Sequence, residues 1–333
     1  MKALVTGGYG FIGSHVVRKL SKEGWVIDIV DDMSNGHEDL LSDLKVTESF
    51  VDLMNHHNDA NRSDKPVKFF RCDFANDNIL QKVASGYYDV VFHLAAVPRV
   101  SFSVENPAET TEINLMSTVK LFDASRYGKS RVVFSSSSSV YGGADNLPTA
   151  ETELKNPKSP YAWQKSACED VAKLYCELYS DSDIVCLRYF NVFGPGQYGD
   201  SPYATAVSAW CHAIKNGTPL RSDGDGSQTR DMCYVDNVVQ ANFLAAIHKS
   251  TKFRGECYNV GCGGNTSNRE ILNYLRERYP AIEIQNAPWR PGDVMHTQAD
   301  ITKISEELRY EPIVKFWEGL SLTLEWWELK DNA

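Results

Sequence analysis

Met1-Lys2-Ala3-Leu4-Val5-Thr6-Gly7-Gly8-Tyr9-Gly10-Phe11-Ile12-Gly13 opens the chain, and its reading decides the fold. A short apolar run leads into Gly7, Gly10 and Gly13, and a helical pattern follows over residues 11–23. In a strand–turn–helix the first glycine permits a tight turn. The second lets a pyrophosphate approach the backbone, and the third lets helix and strand pack closely. Free N–H groups at the helix start, around Phe11 and Ile12, together with the positive end of the helix dipole favour phosphate. Asp31 ends the next apolar run, 31 − 13 = 18 residues beyond Gly13. A carboxylate there accepts from both ribose hydroxyls and repels a 2′-phosphate, which predicts NAD rather than NADP.

Working outward, short runs rich in Val, Ile and Phe recur at residues 3–5, 25–30, 67–70, 90–94, 132–135 and 185–189. Helical patterns over 11–23, 76–85, 108–127 and 161–180 separate them. That alternation predicts an α/β chain with a doubly wound parallel sheet, a Rossmann fold, covered on both faces. Residues 1–187, with about 233–257, form the expected NAD-binding domain. Residues 188–333, dense in Gly and Pro and with short helices over 204–216, 236–249, 268–279 and 301–308, form a smaller, loop-rich α/β lobe for the substrate. The polar stretch 39–65 reads as a solvated loop, and its His56-His57 pair has no third ligand at a spacing suited to metal, so no metal site is expected.

Composition narrows the function classes. The chain has 333 residues, 34 Lys+Arg against 44 Asp+Glu, and a formal net charge of −10. A nucleic-acid or anionic-membrane binder carries a basic surplus, which is missing here. No run reaches the roughly 18 apolar residues of a membrane span. The eight cysteines contain no C-x-x-C, and they read as reduced, buried thiols of a cytoplasmic protein. The glycine turn follows Met1 so closely that no secretory leader is expected.

Ser159-Pro160-Tyr161-Ala162-Trp163-Gln164-Lys165 carries the chemistry. Ser159 is a good N-cap and Pro160 a good first helical residue. Tyr161 and Lys165 then share a helix face at i and i+4. An ammonium beside the phenol, and an oxidised nicotinamide, lower the phenol pKa from about 10 toward that of a usable base. Phe134-Ser135-Ser136-Ser137-Ser138-Ser139-Val140-Tyr141-Gly142 ends a strand in five serines, where one hydroxyl can hold the substrate proton beside the tyrosine. Asp73, just after the third strand, either reaches an adenine edge or caps the next turn.

These motifs together resemble the extended short-chain dehydrogenase/reductase superfamily, in particular its NAD-dependent nucleotide-sugar epimerase/dehydratase family. The similarity runs from Gly7 to about Pro312 and is strongest to UDP-N-acetylglucosamine 4-epimerases. The resemblance implies a catalytic triad of Ser137, Tyr161 and Lys165, with Asn114 steadying the catalytic helix. It places Asp32, Asn35, Gly36, Asp73, Phe74, Leu94, Ala95, Ala96 and Tyr189 at the cofactor, besides the glycine turn and Asp31. It places Arg99, Ser103, Ser138, Ser139, Asn191, Tyr203, Arg230, Arg290, Asp293 and Thr297 at the substrate, with Ser137 and Tyr161. Arg230 and Arg290 match pyrophosphate positions, where guanidinium forks suit phosphate oxygens. Relatives pair through the helices at 108–127 and 161–180, which implies a homodimer with a four-helix contact.

The divergent positions speak to the reaction. Dehydratases of the family carry Asp and Glu where this chain has Ser138 and Ser139, and the related decarboxylases carry Glu at the second. Serine is neither acid nor base near neutral pH, which disfavours both reactions. What remains is 4-epimerisation of a UDP-hexose through a 4-keto sugar, with NAD regenerated each turnover. Thr297 matches a gatekeeper position where a large tyrosine restricts some relatives to unacetylated sugars. Its smaller side chain leaves room near C2, so UDP-GlcNAc/UDP-GalNAc is favoured, with tolerance of UDP-Glc/UDP-Gal. UDP-glucuronate 4-epimerase is the alternative, and Arg99 could meet either an acetamido group or a carboxylate. A non-catalytic NAD-binding regulator is the reading from another class. Such proteins lose the tyrosine or the lysine, and this chain keeps both.

Overall fold

The computed structural model describes residues 1–49, 67–199, 204–249, 252–289 and 294–329. Two compact units make up the chain. The first comprises Met1–Ser137, Ser159–Arg188 and Val239–Tyr258; the second comprises Ser138–Lys158, Tyr189–Val238 and Asn259–Ala333.

The first unit begins with β1 (Lys2–Thr6), α1 (Phe11–Lys22), β2 (Val26–Asp31), β3 (Val46–Glu48), β4 (Val67–Arg71), α2 (Asp77–Ala84) and β5 (Val90–His93). It continues through α3 (Val100–Glu105), α4 (Pro107–Thr111), α5 (Ser117–Gly128), β6 (Arg131–Ser137), α6 (Pro160–Leu178) and β7 (Ile184–Tyr189). Strands β1, β5 and β7 are buried on both faces because helices cover both faces of the sheet, and their side chains are mostly apolar. Each Val, Leu, Ile or Phe buried there stabilises by about 1.5–3 kcal/mol. Helix α1 turns Val16, Val17 and Leu20 inward, the 3.6-residue period read from the sequence.

Two departures from the sequence reading have clear causes. Inside the stretch expected to be a loop, β3 pairs in parallel with β4, Val46 opposite Val67 and Glu48 opposite Phe69. It is an edge strand with exposed Thr47 and Glu48, so it lacks the apolar pattern of a buried one. Residues 50–66, with His56 and His57, lie outside the described residues. The helix expected over 108–127 is broken by a π-helical turn at Glu112–Met116, between α4 and α5. There the Asn114 carbonyl accepts from Thr118 Oγ1 at 2.7 Å and from Cys168 Sγ at 3.3 Å, bonds that fit the widened turn.

The second unit holds β8 (Val192–Phe193), α7 (Ala206–Asn216), β9 (Leu220–Asp223), β10 (Thr229–Arg230) and β11 (Cys233–Tyr234). Helix α8 (Val235–Ile247) starts in it, and β12 (Arg254–Val260) ends in it. It continues with β13 (Thr266–Ser267), α9 (Asn268–Arg278), β14 (Ile284–Ala287), α10 (Thr302–Leu308) and α11 (Phe316–Leu329). Its strands form three two-stranded pairs, and Val140, Tyr141, Phe190 and Ala299 make a small core. Helix α11 was not read from the sequence, although Leu320, Leu324 and Trp327 bury one stripe of it.

The main sheet runs β12-β7-β6-β5-β1-β2-β4-β3, and the pairs from β6 through β3 are parallel. The order reverses beside β1, so the carboxyl ends of β1 and β5 open at a topological switch point, where open sheets bind ligands. All eight cysteines are free thiols; Cys72, Cys257 and Cys262 are half-buried and the others buried.

Candidate active site

The glycine turn forms at the end of β1. Gly7 has φ +69°, and its N–H donates to Val30 C=O at 2.8 Å. A Cβ on Gly7 would come within 2.9 Å of the Ala95 backbone, and one on Gly13 within 2.0 Å of Gly7 O. Gly8, to which the sequence reading gave no role, has its own constraint: a Cβ there would lie 2.6 Å from Ile29. Helix α1 starts at Phe11 with no side-chain cap and no acidic residue in its first turn. Its first N–H groups lack intrahelical acceptors and would suit a pyrophosphate.

Asp31 is buried at the end of β2, with Oδ2 accepting from Tyr9 N–H and Oδ1 from Met33 N–H, both at 2.9 Å. Burial raises its pKa, the two N–H donors oppose that, and each oxygen keeps a further lone pair for a ribose hydroxyl. Backbone cradle, uncapped helix start and buried carboxylate together fit a dinucleotide. Asp32 and Asn35 are exposed beside it, and Gly36 packs so closely that a Cβ would lie 3.0 Å from Tyr9. Asp73 Oδ1 accepts from Ala75 N–H at 2.6 Å, the turn-capping alternative. The Phe74 ring is buried, 4.7 Å from the His93 ring. Leu94, Ala95 and Ala96 are half-buried, and Tyr189 is buried at the end of β7.

The Ser137, Tyr161 and Lys165 side chains come together where β6 ends and α6 begins. The start of α6 is fully accounted for. Pro160 has no N–H, Tyr161 N–H donates to Ser103 Oγ at 3.1 Å, and Ala162 N–H donates to Ser159 Oγ at 3.2 Å. Trp163 N–H then makes the first bond of the helical ladder, to Ser159 C=O. Ser103 is therefore corrected. It is fully buried, its hydroxyl also donates to Val100 C=O at 2.6 Å, and it caps the tyrosine helix instead of lining a sugar pocket.

Burial pushes the Tyr161 phenol up to about 12, and a hydrogen bond from Ser137 pulls it down. Lys165, also buried, donates to Ser135 C=O at 2.7 Å and stands 5.9 Å from the centre of the Tyr161 ring. The expected lowering of the phenol by a neighbouring ammonium is not the governing effect here, because the ammonium is turned to the β6 backbone. Burial lowers the Lys165 pKa to about 8, which still leaves the amine mostly charged near neutral pH.

Asn114 steadies this arrangement. Its Nδ2 donates to Gln164 Oε1 on α6 at 2.8 Å and to Val97 C=O at 3.1 Å, while its Oδ1 accepts from Val97 N–H at 2.8 Å. His93 lies beneath. Thr118 Oγ1 gives its proton to Asn114 C=O, so it accepts from His93 Nε2 at 2.9 Å. Thr6 Oγ1 donates to His93 Nδ1 at 2.8 Å and accepts from Leu94 and Ala95 N–H. The imidazole is thus neutral, and burial and nearby Lys165 hold its pKa well below the usual value.

A second cluster lies in the second unit. Asn191 Nδ2 donates to Asp231 C=O at 3.2 Å and to Thr297 Oγ1 at 3.0 Å, and Asp231 N–H also donates to Thr297 Oγ1. The acceptor-only Asp231 carbonyl fixes the amide orientation and leaves Asn191 Oδ1 as its remaining acceptor. The Asp231 carboxylate, not anticipated from sequence, is fully buried and gathers N–H groups from Cys262, Gly263 and Ala299 at 2.9–3.0 Å. Burial raises its pKa to about 6 against those three donors. Arg230 Nη1 donates to Thr229 C=O at 2.9 Å and Met295 C=O at 3.1 Å. Ser138 and Ser139 are half-buried on a 3₁₀ turn, and Arg99 is half-buried at the start of α3. Tyr203, Arg290 and Asp293 lie outside the described residues.

The comparisons with known proteins agree with this architecture. The NAD-dependent epimerase/dehydratase family matches residues 3–261. A UDP-glucose 4-epimerase from Mycolicibacterium smegmatis is 35% identical over 337 residues, covering 100% of both chains. Among solved structures, a UDP-N-acetylglucosamine 4-epimerase from Methanobrevibacter ruminantium, in complex with UDP-N-acetylmuramic acid, is 34% identical at a TM-score of 0.86, covering 99% of this chain and 98% of that one. A UDP-glucose 4-epimerase from Thermotoga maritima with UDP-glucose is 32% identical at a TM-score of 0.86, covering 99% of each chain. Glycine cradle, buried carboxylate and hydroxyl–phenol–ammonium cluster, set on this sheet and matched over this length, place the chain in the NAD-dependent epimerase/dehydratase family.

Proposed function

We propose that the protein is a UDP-sugar 4-epimerase acting on UDP-GlcNAc/UDP-GalNAc, with UDP-Glc/UDP-Gal as a second pair. One observation carries the choice of reaction: the residues after Ser137 are Ser138 and Ser139, which supply neither the acid nor the base that elimination or decarboxylation needs. Thr297, compact and held against Asn191, supports the acetylated pair.

NAD, when bound, supplies the acceptor and donor of the C4 hydride and a positive charge near the phenol. Tyr161 Oη removes the proton from O4 of the sugar and later returns it. Ser137 donates to that oxygen and favours its ionised form. Lys165 contributes its charge from beneath, and His93, being neutral, adds no competing charge. Arg230 and Arg290 are assigned to the pyrophosphate, about which the sugar presents its second face.

The test is incubation of the purified protein with UDP-GlcNAc and separation of the nucleotide sugars. UDP-GalNAc formed without added NAD is the expected result. A 4-keto-6-deoxy product would restore the dehydratase reading, turnover confined to UDP-glucuronate would select that epimerase, and bound NAD without any turnover would leave a regulator.

A homodimer through the segments 108–127 and 161–180 belongs to the same proposal. Met116 in the π-helical turn (45% exposed) and Trp163 (50%) and Leu174 (48%) on α6 put apolar surface there. Trp163→Glu should halve the mass seen by light scattering; a wild-type chain that is already monomeric would remove the dimer.

A further inference from the structure

Beneath the Ser137–Tyr161–Lys165 cluster lies a charged group that the reaction does not use. Arg188 on β7 makes a two-pronged ion pair with Glu169 on α6, Nε to Oε1 at 2.8 Å and Nη2 to Oε2 at 2.8 Å. The two side chains are 5% and 2% exposed. Ser136 Oγ on β6 donates to the same Glu169 Oε1 at 2.6 Å. A buried ion pair is expensive to desolvate and seldom kept for stability alone, so its position needs a reason.

Its neighbours supply one. Ser136 stands between Ser135, whose carbonyl holds the Lys165 ammonium, and Ser137, whose hydroxyl bonds Tyr161. Glu169 is four residues beyond Lys165, on the same face of α6. We propose that the Glu169–Arg188 pair is a positioning element for the reaction: it fixes the end of β6 through Ser136, and the Glu169 charge holds Lys165 in its ammonium form. The proposal rests on the 4-epimerase reading for its kinetic test, but not for its chemical one.

The sign can be worked out from what faces Lys165. From α6 come Tyr161, Cys168 and Glu169; from β7 comes Cys186; from β5 comes His93, which is neutral. Burial pulls the ammonium down, and Cys168, Cys186 and Glu169, in that order, oppose that fall; the two thiols are themselves raised and so carry no charge near neutral pH. Arg188 carries the opposite charge and acts on Lys165 in the opposite sense. Removing the Glu169 charge alone therefore makes Lys165 lose its proton at lower pH, and removing both charges moves that midpoint less.

Glu169→Gln removes the carboxylate charge alone but strands a buried guanidinium, so it is compared with the double variant Glu169→Gln/Arg188→Met, which removes both charges. Two readouts apply to the same samples. The first is the pH dependence of the Lys165 side-chain NMR shift in protein carrying isotope-labelled lysine, assigned with Lys165→Arg, which needs neither turnover nor access of a reagent to the buried amine. The second is the pH profile of kcat with UDP-GlcNAc. In Glu169→Gln both midpoints should move down by about one pH unit, an order-of-magnitude expectation for one lost charge partner, and in the double variant by less, with KM changed by less than about threefold. Ser136→Ala should lower kcat severalfold and leave the NMR midpoint in place, separating strand fixation from charge. Wild-type midpoints in every variant that folds would overturn the proposal. Failure of both variants to fold would overturn it as well, because the pair would then be a structural strut. A wild-type protein whose Lys165 titrates as expected but that turns over no UDP-sugar would count against the functional reading and leave the pair standing.

Discussion

The two clusters of candidate residues are built in opposite ways. In the first unit, a strand end and a helix start carry the triad, and each donor of the first helical turn has a named acceptor. In the second unit, loops are gathered around one buried carboxylate, Asp231, which takes N–H groups from residues 262, 263 and 299. Regular structure places the first cluster, and a single side chain places the second. The first should therefore fail locally when altered, whereas the second should fail as a whole.

The largest effect is expected at the phenol. Tyr161→Phe should cut kcat by about a hundredfold or more, since positioned acid–base groups contribute ~10²–10⁴. KM and thermal stability should stay near wild type, because the helix start is held by backbone bonds to Ser103 and Ser159, not by the phenol. Stopped assays of UDP-GlcNAc turnover and a melting curve check both halves. Near-normal turnover would break the contrast at its strongest point.

Asp231→Asn should act on the whole second cluster. An amide cannot accept from three N–H groups with one oxygen, so at least one buried donor is orphaned at about 1–3 kcal/mol. Urea unfolding at pH 5, below the folded pKa, measures the loss, and KM should rise with it as Asn191 and Thr297 shift. The pH dependence gives an independent check. The carboxyl pKa is raised to about 6 in the folded chain, from its usual 3.8. Between these values the folded chain binds the proton more readily than the unfolded one. The stability from this group is fully present below about pH 4 and is lost as the pH rises through 6. Asp231→Asn should remove that slope, and an unchanged slope would show that Asp231 is not its source.

This contrast also explains what could be read from the sequence. The glycine turn, Asp31, Tyr161 and Lys165 follow from spacings of three, four and eighteen residues within regular elements, and periodicity reports such spacings directly. Ser103 was misread because its role depends on α3 lying against the start of α6, a contact between residues 58 apart. Asp231 gave no signal at all, since its partners are backbone N–H groups, which every residue except proline carries. Glu169 could have been found, being four residues after Lys165 on an amphipathic helix.

Ser103→Ala sharpens the comparison at intermediate size. It removes the acceptor for Tyr161 N–H and should cost about 0.5–2 kcal/mol, the usual range for losing a helix cap. The defect should be confined to the start of α6. Hydrogen exchange at Tyr161 N–H should speed up, while exchange at Cys262 and Gly263, on the second cluster, stays as it was.

The smallest effect is expected at Thr297. Valine keeps the branched shape but removes the hydroxyl that accepts from Asn191 Nδ2 and Asp231 N–H. Because the space near C2 would be unchanged, the preference between UDP-GlcNAc and UDP-Glc should hold. Both KM values should instead rise by about two- to tenfold, the size of one neutral hydrogen bond at about 0.5–1.5 kcal/mol, as the Asn191 amide loses its anchor. Thr297→Ser, which restores the hydroxyl with less bulk, should recover both values. A change in the ratio between the two substrates in the valine variant would mean that the hydroxyl itself reads the C2 group, and that this part of the second cluster acts through local contact, as the first cluster does.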